Sequence, residues 1–461
     1  MFCFFDVAQL GYLAYFGNGL TPFVISLLFD MENFKDVAKS SFGDVWRFYP
    51  MFISVGIPYF LSFYMVKKYN DRLYKVKYAW ILLFVILAHF PYRAYHSYTV
   101  ARIMASYERP SLYNGWKVAT SYLFNILPKG QAVNTSYKDY DIKKFKPRDV
   151  NIILIYGESL NWHNSSLFGY ANKTMPQLEQ FAKDNPNNFK YSKAISCAIF
   201  TASSIPCFFN YVREPDNFKQ HQYKKSNLFK LAKENNFNTY WISVQSTSLI
   251  NNLSPQYMDK IHHYNTDKKI IDALEDEALL EILKQYDVND GNNFIVLHKS
   301  NLHSPHKQYQ LNHKEFGVFE MEYDNSMLYE DYLLKNIFDY VKANFHKTFY
   351  VFLISDHGSI QENMQSSAHG HGILNNLAAD VPAMIYTNDT DKTILNKFEK
   401  IHTPTAHQFA DLIVELMGYK ITTPNTPDNV YYVNGTDMLG RHGWLKVIKD
   451  EKNKKFSFER K

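Results

Sequence analysis

Two stretches of the sequence decide the fold: NIILIYGES at residues 151–159 and TFYVFLISDHG at residues 348–358. Each is a short, continuous run of apolar residues that ends abruptly at small and charged residues. Such a run, bounded by glycine, predicts a strand that is buried on both faces. The two stretches therefore predict neighbouring strands in the centre of a sheet.

Further runs of the same kind occur at 239–244, 293–298 and 381–386, and helical patterns separate them, as at 226–234 and 324–343. Strands that alternate with helices predict a mostly parallel sheet with helices on both faces, which is the α/β class. In such sheets ligands bind beyond the carboxyl ends of the strands. The residues that follow the apolar runs are therefore the first candidates for a functional site.

The composition excludes one broad class of function. The chain has 461 residues, with 50 basic and 45 acidic residues and a formal net charge of +5, and 17% of its residues are aromatic. A balanced charge without a basic stripe argues against a nucleic-acid partner.

The start of the chain has a different character. Apolar stretches run over residues 7–29, 48–66 and 78–90, and the third is the densest and the shortest. A bilayer-spanning helix needs about 20 apolar residues, so these stretches predict about three transmembrane helices, although buried helices of a soluble domain are an alternative. No basic residue precedes the first stretch, so we expect an uncleaved anchor rather than a signal peptide.

Charge in the loop between the second and third stretches predicts the orientation. This loop has only Asp71 as an acidic residue, against five basic ones: Lys67, Lys68, Arg72, Lys75 and Lys77. Positive loops stay in the cytoplasm, so the rest of the chain lies outside, which means the periplasm for a bacterial inner-membrane protein. We expect a transmembrane domain at 1–93, surface helices or a linker at 94–147, and an outer catalytic domain at 148–461.

Candidate metal ligands stand where the strands end. Glu158 follows the first apolar run, Asp356 and His357 follow the second, and further histidines occur at 298, 303, 369 and 371. Carboxylate oxygens together with imidazole nitrogens suit zinc, and a catalytic zinc keeps one position for the reacting group. Each pair alone is weak evidence, but together they predict a metal site.

The segment SCAIFTASSIPC at 196–207 contains a threonine between two cysteines ten residues apart. In a domain outside the cell, Cys197 and Cys207 can form a disulfide that ties a small loop around Thr201. Two reduced, buried cysteines are the alternative.

At this point the sequence resembles the phosphoethanolamine transferases of the alkaline phosphatase–sulfatase superfamily, which include lipid A-modifying enzymes that confer polymyxin resistance. The resemblance covers about residues 151–382. Its motifs follow in order: GES with SLFGY, TMP at 174–176, SC-x8-PC, LH-x4-H, YDNSMLYEDY from Tyr323, SDHG, and HG at His369.

The resemblance implies specific roles for these residues. Glu158, Thr201, Asp356 and His357 would bind one catalytic zinc ion, and Thr201 would be the nucleophile. His303 and His369 match positions that hold the phosphoryl group or a second zinc ion. Cys197 and Cys207 match a family disulfide.

The implied reaction has a lipid donor. Phosphatidylethanolamine would give its phosphoethanolamine group to Thr201, and lipid A or a core sugar of lipopolysaccharide or lipooligosaccharide would receive it. A monomer bound to membrane lipid at the inner membrane would carry out both steps.

The sequence also departs from the family pattern. Ala198 and Ile199 replace the usual Gly-Thr, Ser359 replaces the usual Glu after SDHG, and the membrane portion is shorter than usual. These changes leave the metal ligands in place but bear on the acceptor, the donor contacts and the second metal.

Three other functions compete with this interpretation. A sulfatase would need Cys-x-Pro-x-Arg or Ser-x-Pro-x-Arg to make its formylglycine, and neither follows Cys197 or Cys207. A phosphoglycerol transferase that acts on a periplasmic glycan uses a similar set of Glu, Thr, Asp and His. A membrane-tethered binding protein that has lost activity is the third, and it need not hold zinc.

Overall fold

A computed structural model of the chain describes residues 45–69, 81, 84–85, 88–89, 91–92, 111–126, 136–246, 250, 253–366, 370–436, 438 and 443–460. The chain divides into two compact units, Met1–Thr135 with Ile250–Pro255 and Ser136–Leu249 with Gln256–Lys461. The strand-rich unit thus begins at Ser136, N-terminal to the predicted boundary at 148.

The first unit is helical in its described part. Helix α1 spans Val45–Lys68 and contains the second apolar stretch, and helix α2 spans Ser111–Ser121 and continues into a π-helical turn at Tyr122–Ile126. Among the described residues, no helix has both the length and the apolar character needed to cross a membrane. The predicted span at 7–29 lies outside the described residues, as does most of the one at 78–90.

A seven-stranded sheet forms the centre of the second unit. Its strands, numbered by their order in the chain, are β2 (Asn151–Gly157), β3 (Phe189–Ile195), β4 (Phe237–Ser243), β5 (Lys260–His262), β6 (Asn292–His298), β7 (Phe349–Ser355) and β8 (Asp380–Thr387). They lie in the order β3-β8-β7-β2-β6-β4-β5. All five predicted strands are present, and β2 and β7 are adjacent, as their apolar runs predict.

The sheet is mixed rather than wholly parallel. Strands β7, β2, β6, β4 and β5 are parallel to one another, whereas β8 is antiparallel to both β7 and β3. The reason is that β8 begins, at Asp380, on the same edge of the sheet where β7 ends, at Ser355, so the chain runs through β8 in the opposite direction. The mostly parallel α/β prediction is confirmed, with this antiparallel edge as an addition.

Helices cover the sheet and enclose the core. They are α3 (Pro176–Asp184), α4 (Thr201–Phe209), α5 (Phe218–Tyr223), α6 (Leu228–Glu234), α7 (Lys268–Leu274), α8 (Ala278–Leu283), α9 (Tyr309–Asn312), α10 (Glu322–Asn344), α11 (Asn376–Ala379), α12 (Thr393–Lys400) and α13 (Ala406–Leu416). Every residue of β2 and β7 is buried, and Ile153 and Leu353 pack with Phe338 of α10 in one core cluster.

Two small antiparallel sheets complete the unit. Strand β1 (Asp141–Lys144) pairs with β9 (Tyr419–Thr422), and β10 (Val430–Asn434) pairs with β11 (Trp444–Asp450), which pairs with β12 (Lys455–Arg460). The basic residues between 446 and 460 therefore lie within β11 and β12 or in the turn between them. Leu445 and Val447 of β11 are buried while their neighbours are not, as expected for a sheet with one face on the core.

Candidate metal and nucleophile site

Two neighbouring strand ends bring three ligand-type side chains together. Glu158 follows β2, and Asp356 and His357 follow β7; one ligand atom from each lies within 4.8 Å of the others. All three side chains are buried. The parallel register of β2 and β7 causes this, because Gly157 pairs with Ser355 and the residues after them leave the sheet side by side.

Thr201 meets this cluster from another element. It is the first residue of α4, and its Oγ1 atom lies 3.2 Å from Glu158 Oε2 and 3.1 Å from His357 Nε2. Phosphate groups are stabilised at helix N-termini, where backbone N–H groups point outward and the helix dipole is positive. A phosphate ester that approaches Thr201 would meet this end of α4.

The loop before Thr201 is fixed by backbone hydrogen bonds. Asn434 of β10 donates its N–H to Cys197 O at 2.8 Å and accepts the N–H of Ile199 at 3.0 Å. The N–H of Gly372 donates to Ile199 O at 2.9 Å. The small sheet of β10 to β12 therefore positions the residue that stands two places before the nucleophile candidate.

Neighbouring groups hold each ligand in one orientation. Asp356 Oδ1 accepts the N–H groups of Ser159 at 3.0 Å and of His357 at 2.7 Å. Ser159 Oγ donates to Glu158 Oε1 at 2.7 Å. His357 Nδ1 lies 3.0 Å from the carbonyl oxygen of Gly358, and since a carbonyl can only accept, Nδ1 carries the hydrogen.

The nitrogen and oxygen atoms of the site therefore direct unshared electron pairs at one another. With its hydrogen on Nδ1, His357 directs the lone pair of Nε2 at Asp356 Oδ2, 3.2 Å away, and at Glu158 Oε1, 3.5 Å away. Asp356 Oδ2 is buried and has no hydrogen-bond partner among the described residues. A cation would satisfy all three atoms, and two oxygens with one imidazole nitrogen and a hydroxyl are ligands that fit zinc.

The electrostatics agree with this fit. Burial, followed by the negative charge of Glu158, raises the pKa of Asp356 well above its ordinary value. Burial lowers the pKa of His357, although the negative charge of Glu158 opposes this shift. Burial alone would raise the pKa of Glu158, but the nearby imidazoles of His357 and His303 bring this pKa below its ordinary value. Two adjacent buried carboxyl groups without a counter-charge are costly, and a divalent cation would remove that cost.

The cysteines do not form the disulfide that the family resemblance implies. Cys197 and Cys207 are free, buried thiols. Their sulfur atoms lie within 4.8 Å of each other and of a ring nitrogen of His407. Cys207 Sγ instead faces carbonyl oxygens, 3.3 Å from Val212 O and 3.8 Å from Cys197 O, so the thiol is directed into the backbone.

The remaining histidines have separate positions. His303 is exposed, and its ring centre lies 5.8 Å from that of His371, which stacks on His357 at 4.9 Å. His298 is not at the metal cluster: it is buried at the end of β6, with Nδ1 2.8 Å from Ser243 Oγ. His369 lies outside the described residues, so its predicted role stays a prediction.

Sequence reasoning missed one residue at this site. Gln245 stands two residues after β4, and its Nε2 atom donates to Glu158 Oε2 at 2.9 Å. The signal that could have found it is its place, because it follows a predicted strand at the same carboxyl edge that carries Glu158 and Asp356.

The fold and the site together define a member of the sulfatase family. That family matches residues 150–419, which is more than half of the chain, and the chain belongs to it. The match covers the central sheet and every residue of the metal and nucleophile cluster.

The curated relatives confirm the resemblance to phosphoethanolamine transferases. The Kdo(2)-lipid A phosphoethanolamine 7''-transferase of Salmonella typhimurium is 25% identical over 311 residues, covering 60% of this chain and 53% of its own length. Phosphoethanolamine transferase EptA of Helicobacter pylori is 27% identical over 273 residues, covering 52% and 48%. The chain thus spans about half the length of the curated relatives it matches.

Solved structures confirm the fold. The periplasmic domain of Escherichia coli EptC, solved also in complex with zinc, superposes with a TM-score of 0.52 at 17% identity, covering 64% of this chain and 92% of that domain without zinc. The integral membrane protein EptA of Neisseria meningitidis superposes with a TM-score of 0.51 at 15% identity, covering 74% and 67%. At these identities the likeness establishes the alkaline phosphatase/sulfatase-like architecture.

Proposed function

We propose that this chain is a zinc-dependent phosphoethanolamine transferase that acts through a covalent intermediate on Thr201. The observation that carries the proposal is the position of Thr201 Oγ1, 3.1 Å from His357 Nε2 and 3.2 Å from Glu158 Oε2, beside a carboxylate oxygen without a partner.

Glu158, Asp356 and His357 would hold the zinc ion, with Thr201 as its fourth ligand. A bound zinc ion supplies Lewis-acid chemistry: it lowers the pKa of a coordinated hydroxyl and neutralises charge on phosphate oxygens. The hydrogen bonds donated by Ser159 and by the His357 N–H, and the one that Gly358 O accepts from His357 Nδ1, keep the three ligands in place before any metal arrives. His303 and His369, together with the N-terminus of α4, would stabilise the phosphoryl oxygens.

The reaction has two displacement steps. In the first, Thr201 Oγ1 forms a bond to the phosphorus of phosphatidylethanolamine, and the bond to diacylglycerol breaks, so that diacylglycerol leaves with a proton. In the second, an oxygen of the acceptor forms a bond to the phosphorus, the bond to Thr201 breaks, and Thr201 Oγ1 takes up the proton that the acceptor loses. A nucleophile that is activated and held in line for attack is the usual requirement for such a two-step transfer.

The names of the relatives support lipid A as the acceptor, since the Salmonella typhimurium relative is a Kdo(2)-lipid A phosphoethanolamine 7''-transferase.

A lipid donor requires access to a bilayer. The apolar stretches of the first hundred residues and the exposed Ile57, Phe60 and Phe63 of α1 support a multi-pass anchor in the bacterial inner membrane, with the second unit in the periplasm.

The test measures release of diacylglycerol from labelled phosphatidylethanolamine by the purified full chain in detergent. We expect turnover that stops when a chelator removes zinc, returns when zinc is added, and is absent in Thr201→Ala. Zinc-independent turnover, or turnover by Thr201→Ala, would contradict the proposal.

A second arm replaces the donor by phosphatidylglycerol with manganese as the metal. Preferential release of diacylglycerol in this arm would identify a phosphoglycerol transferase instead. No release from either lipid, together with no bound metal, would indicate an inert binding protein.

A further inference from the structure

The side-chain amide of Gln245 connects the carboxylate of Glu158 to the backbone of Lys299, whose side chain forms buried ion pairs. Its Nε2 atom donates one hydrogen to Glu158 Oε2 at 2.9 Å and the other to Lys299 O at 2.7 Å. Both acceptors are oxygens that cannot donate, so the amide has only one orientation that satisfies them. Gln245 is half-buried, and its two hydrogens are both engaged.

Lys299 gives this amide a rigid support. Its side chain is 1% exposed, and its Nζ atom lies 3.1 Å from Asp276 Oδ2 and 3.4 Å from Glu330 Oε2. Burial alone would lower the pKa of Lys299, but these two carboxylates raise it, so the lysine is charged. The charged side chain cannot leave this position without depriving two buried carboxylates of their counter-charge.

The backbone of Lys299 is also tied to the strand that carries Glu158. The N–H of Lys299 donates to Tyr156 O at 3.0 Å, two residues before Glu158 on β2. The carbonyl of Lys299 therefore moves with β2, and an amide that bridges this carbonyl to Glu158 keeps the carboxylate at a fixed distance from its own strand.

The oxygen that Gln245 holds is the nearer of the two Glu158 oxygens to the nucleophile. Glu158 Oε2 accepts from Gln245 and lies 3.2 Å from Thr201 Oγ1, whereas Oε1 accepts from Ser159 and lies 3.5 Å from Thr201 Oγ1. Without Gln245, the carboxylate could rotate about its last bond and withdraw Oε2 from Thr201. Partners of metal-ligating carboxylates commonly change metal affinity or activity 10–100-fold.

We infer that Gln245 is a positioning residue that fixes Glu158 for metal binding and for contact with Thr201, with the carbonyl of Lys299 as its support. The inference rests on the zinc site of the proposed function. It concerns a residue that touches neither the reacting atoms nor the metal, so it acts through Glu158.

The test titrates the metal-free full chain with Zn²⁺ in competition with a chromogenic chelator. We expect Gln245→Met, which keeps the length but removes both donors, to bind zinc about 10–100-fold more weakly than the wild type. Gln245→Asn, which keeps the amide but shortens its reach, should change affinity in the same direction and serves if the first variant does not fold. In turnover assays the loss should fall on kcat more than on KM, because the defect is at Thr201.

Gln180→Met is the matched control. Its amide donates to the carboxylate of Asp184 at 2.8 Å, but on the exposed surface of α3, so zinc affinity should not change. Folded Gln245 variants with wild-type zinc affinity would overturn the inference and leave the proposed function standing. A wild-type chain that binds no zinc would overturn both.

Discussion

At the scale of single residues, the side chains of the site destabilise the folded protein when no metal is bound. Asp356 and Glu158 are adjacent buried carboxyl groups, and His357 directs a lone pair at both. Natural proteins keep such arrangements where function requires them. The cost of the cluster should therefore be measurable in the metal-free protein.

Asp356→Asn should separate stability from metal binding. Replacing one carboxyl group by an amide removes the repulsion with Glu158, so we expect the metal-free variant to unfold at the same temperature as the wild type or higher. Zinc affinity should fall by at least about 100-fold because a ligand is lost. Thermal unfolding and zinc competition measure the two effects, with Asp184→Asn on the surface of α3 as the control. A large loss of metal-free stability would contradict this account of the site.

Lys224, which is not part of the site, should make the free energy of unfolding depend on pH. Burial lowers its pKa from 10.5 to about 7, so the folded state binds fewer protons than the unfolded state between these values. Stability from this group therefore rises with pH, by up to about 1.4 kcal/mol per pH unit, and is lowest below pH 7.

The comparison with Lys224→Met isolates this effect. The methionine variant should be more stable than the wild type at pH 6.5, and the difference should shrink as the pH approaches 10. Chemical denaturation at both pH values measures it. A difference that is independent of pH would show that the buried ammonium is not its cause.

At the scale of elements, the site depends on how closely the strand ends approach. A Cβ atom on Gly358 would lie 2.6 Å from Asp380 O and 3.2 Å from Leu377 O, so the backbone of α11 and β8 leaves no room for a side chain. The residue after the two β7 ligands must therefore be glycine.

Gly358→Ala should lower the free energy of unfolding by about 1–3 kcal/mol, because the backbone must shift to admit the methyl group. Gly157→Ala, at the end of neighbouring β2, is the matched control: its nearest atom would be Ser355 Oγ at 3.4 Å, an ordinary contact. The control should be neutral or gain about 0.4–1 kcal/mol. Equal losses in both variants would contradict the packing argument.

The elements that the sequence predicts are those with a strong local signal. Apolar runs locate β2, β4, β6, β7 and β8, and the ends of two of them carry Glu158, Asp356 and His357. Strands β3 (FKYSKAI), β11 and β12 alternate apolar with polar or charged residues, which is a weaker local signal than a continuous apolar run, so pairing with neighbouring strands contributes more to them. Gln245 is missed for the same reason, because its role depends on Lys299, a residue from another strand end.

At the scale of the whole molecule, function requires a catalytic unit and access to lipid. The described part of α1 exposes Phe60 and Phe63, each to 69%, and the sequence predicts further apolar segments on either side. Exposed aromatic and aliphatic side chains along one helix are costly in water and favourable in a bilayer.

We therefore expect the full chain to remain with the membrane fraction after a high-salt wash and to need detergent for release. A chain that begins at Ser136, where the second unit starts, should stay in the supernatant. Fractionation followed by detection of both proteins measures this. A full chain that salt alone releases would contradict a multi-pass anchor.

The central claim is that Thr201 carries the transferred group. Its most direct test is to mix the zinc-loaded full chain with phosphatidylethanolamine without an acceptor, digest the protein and map modified peptides by mass spectrometry. The account predicts one phosphoethanolamine group on Thr201, which is absent from Thr201→Ala and lost when an acceptor is added. Diacylglycerol release with the group on another residue such as Ser203, or with no modified peptide at all, would contradict it.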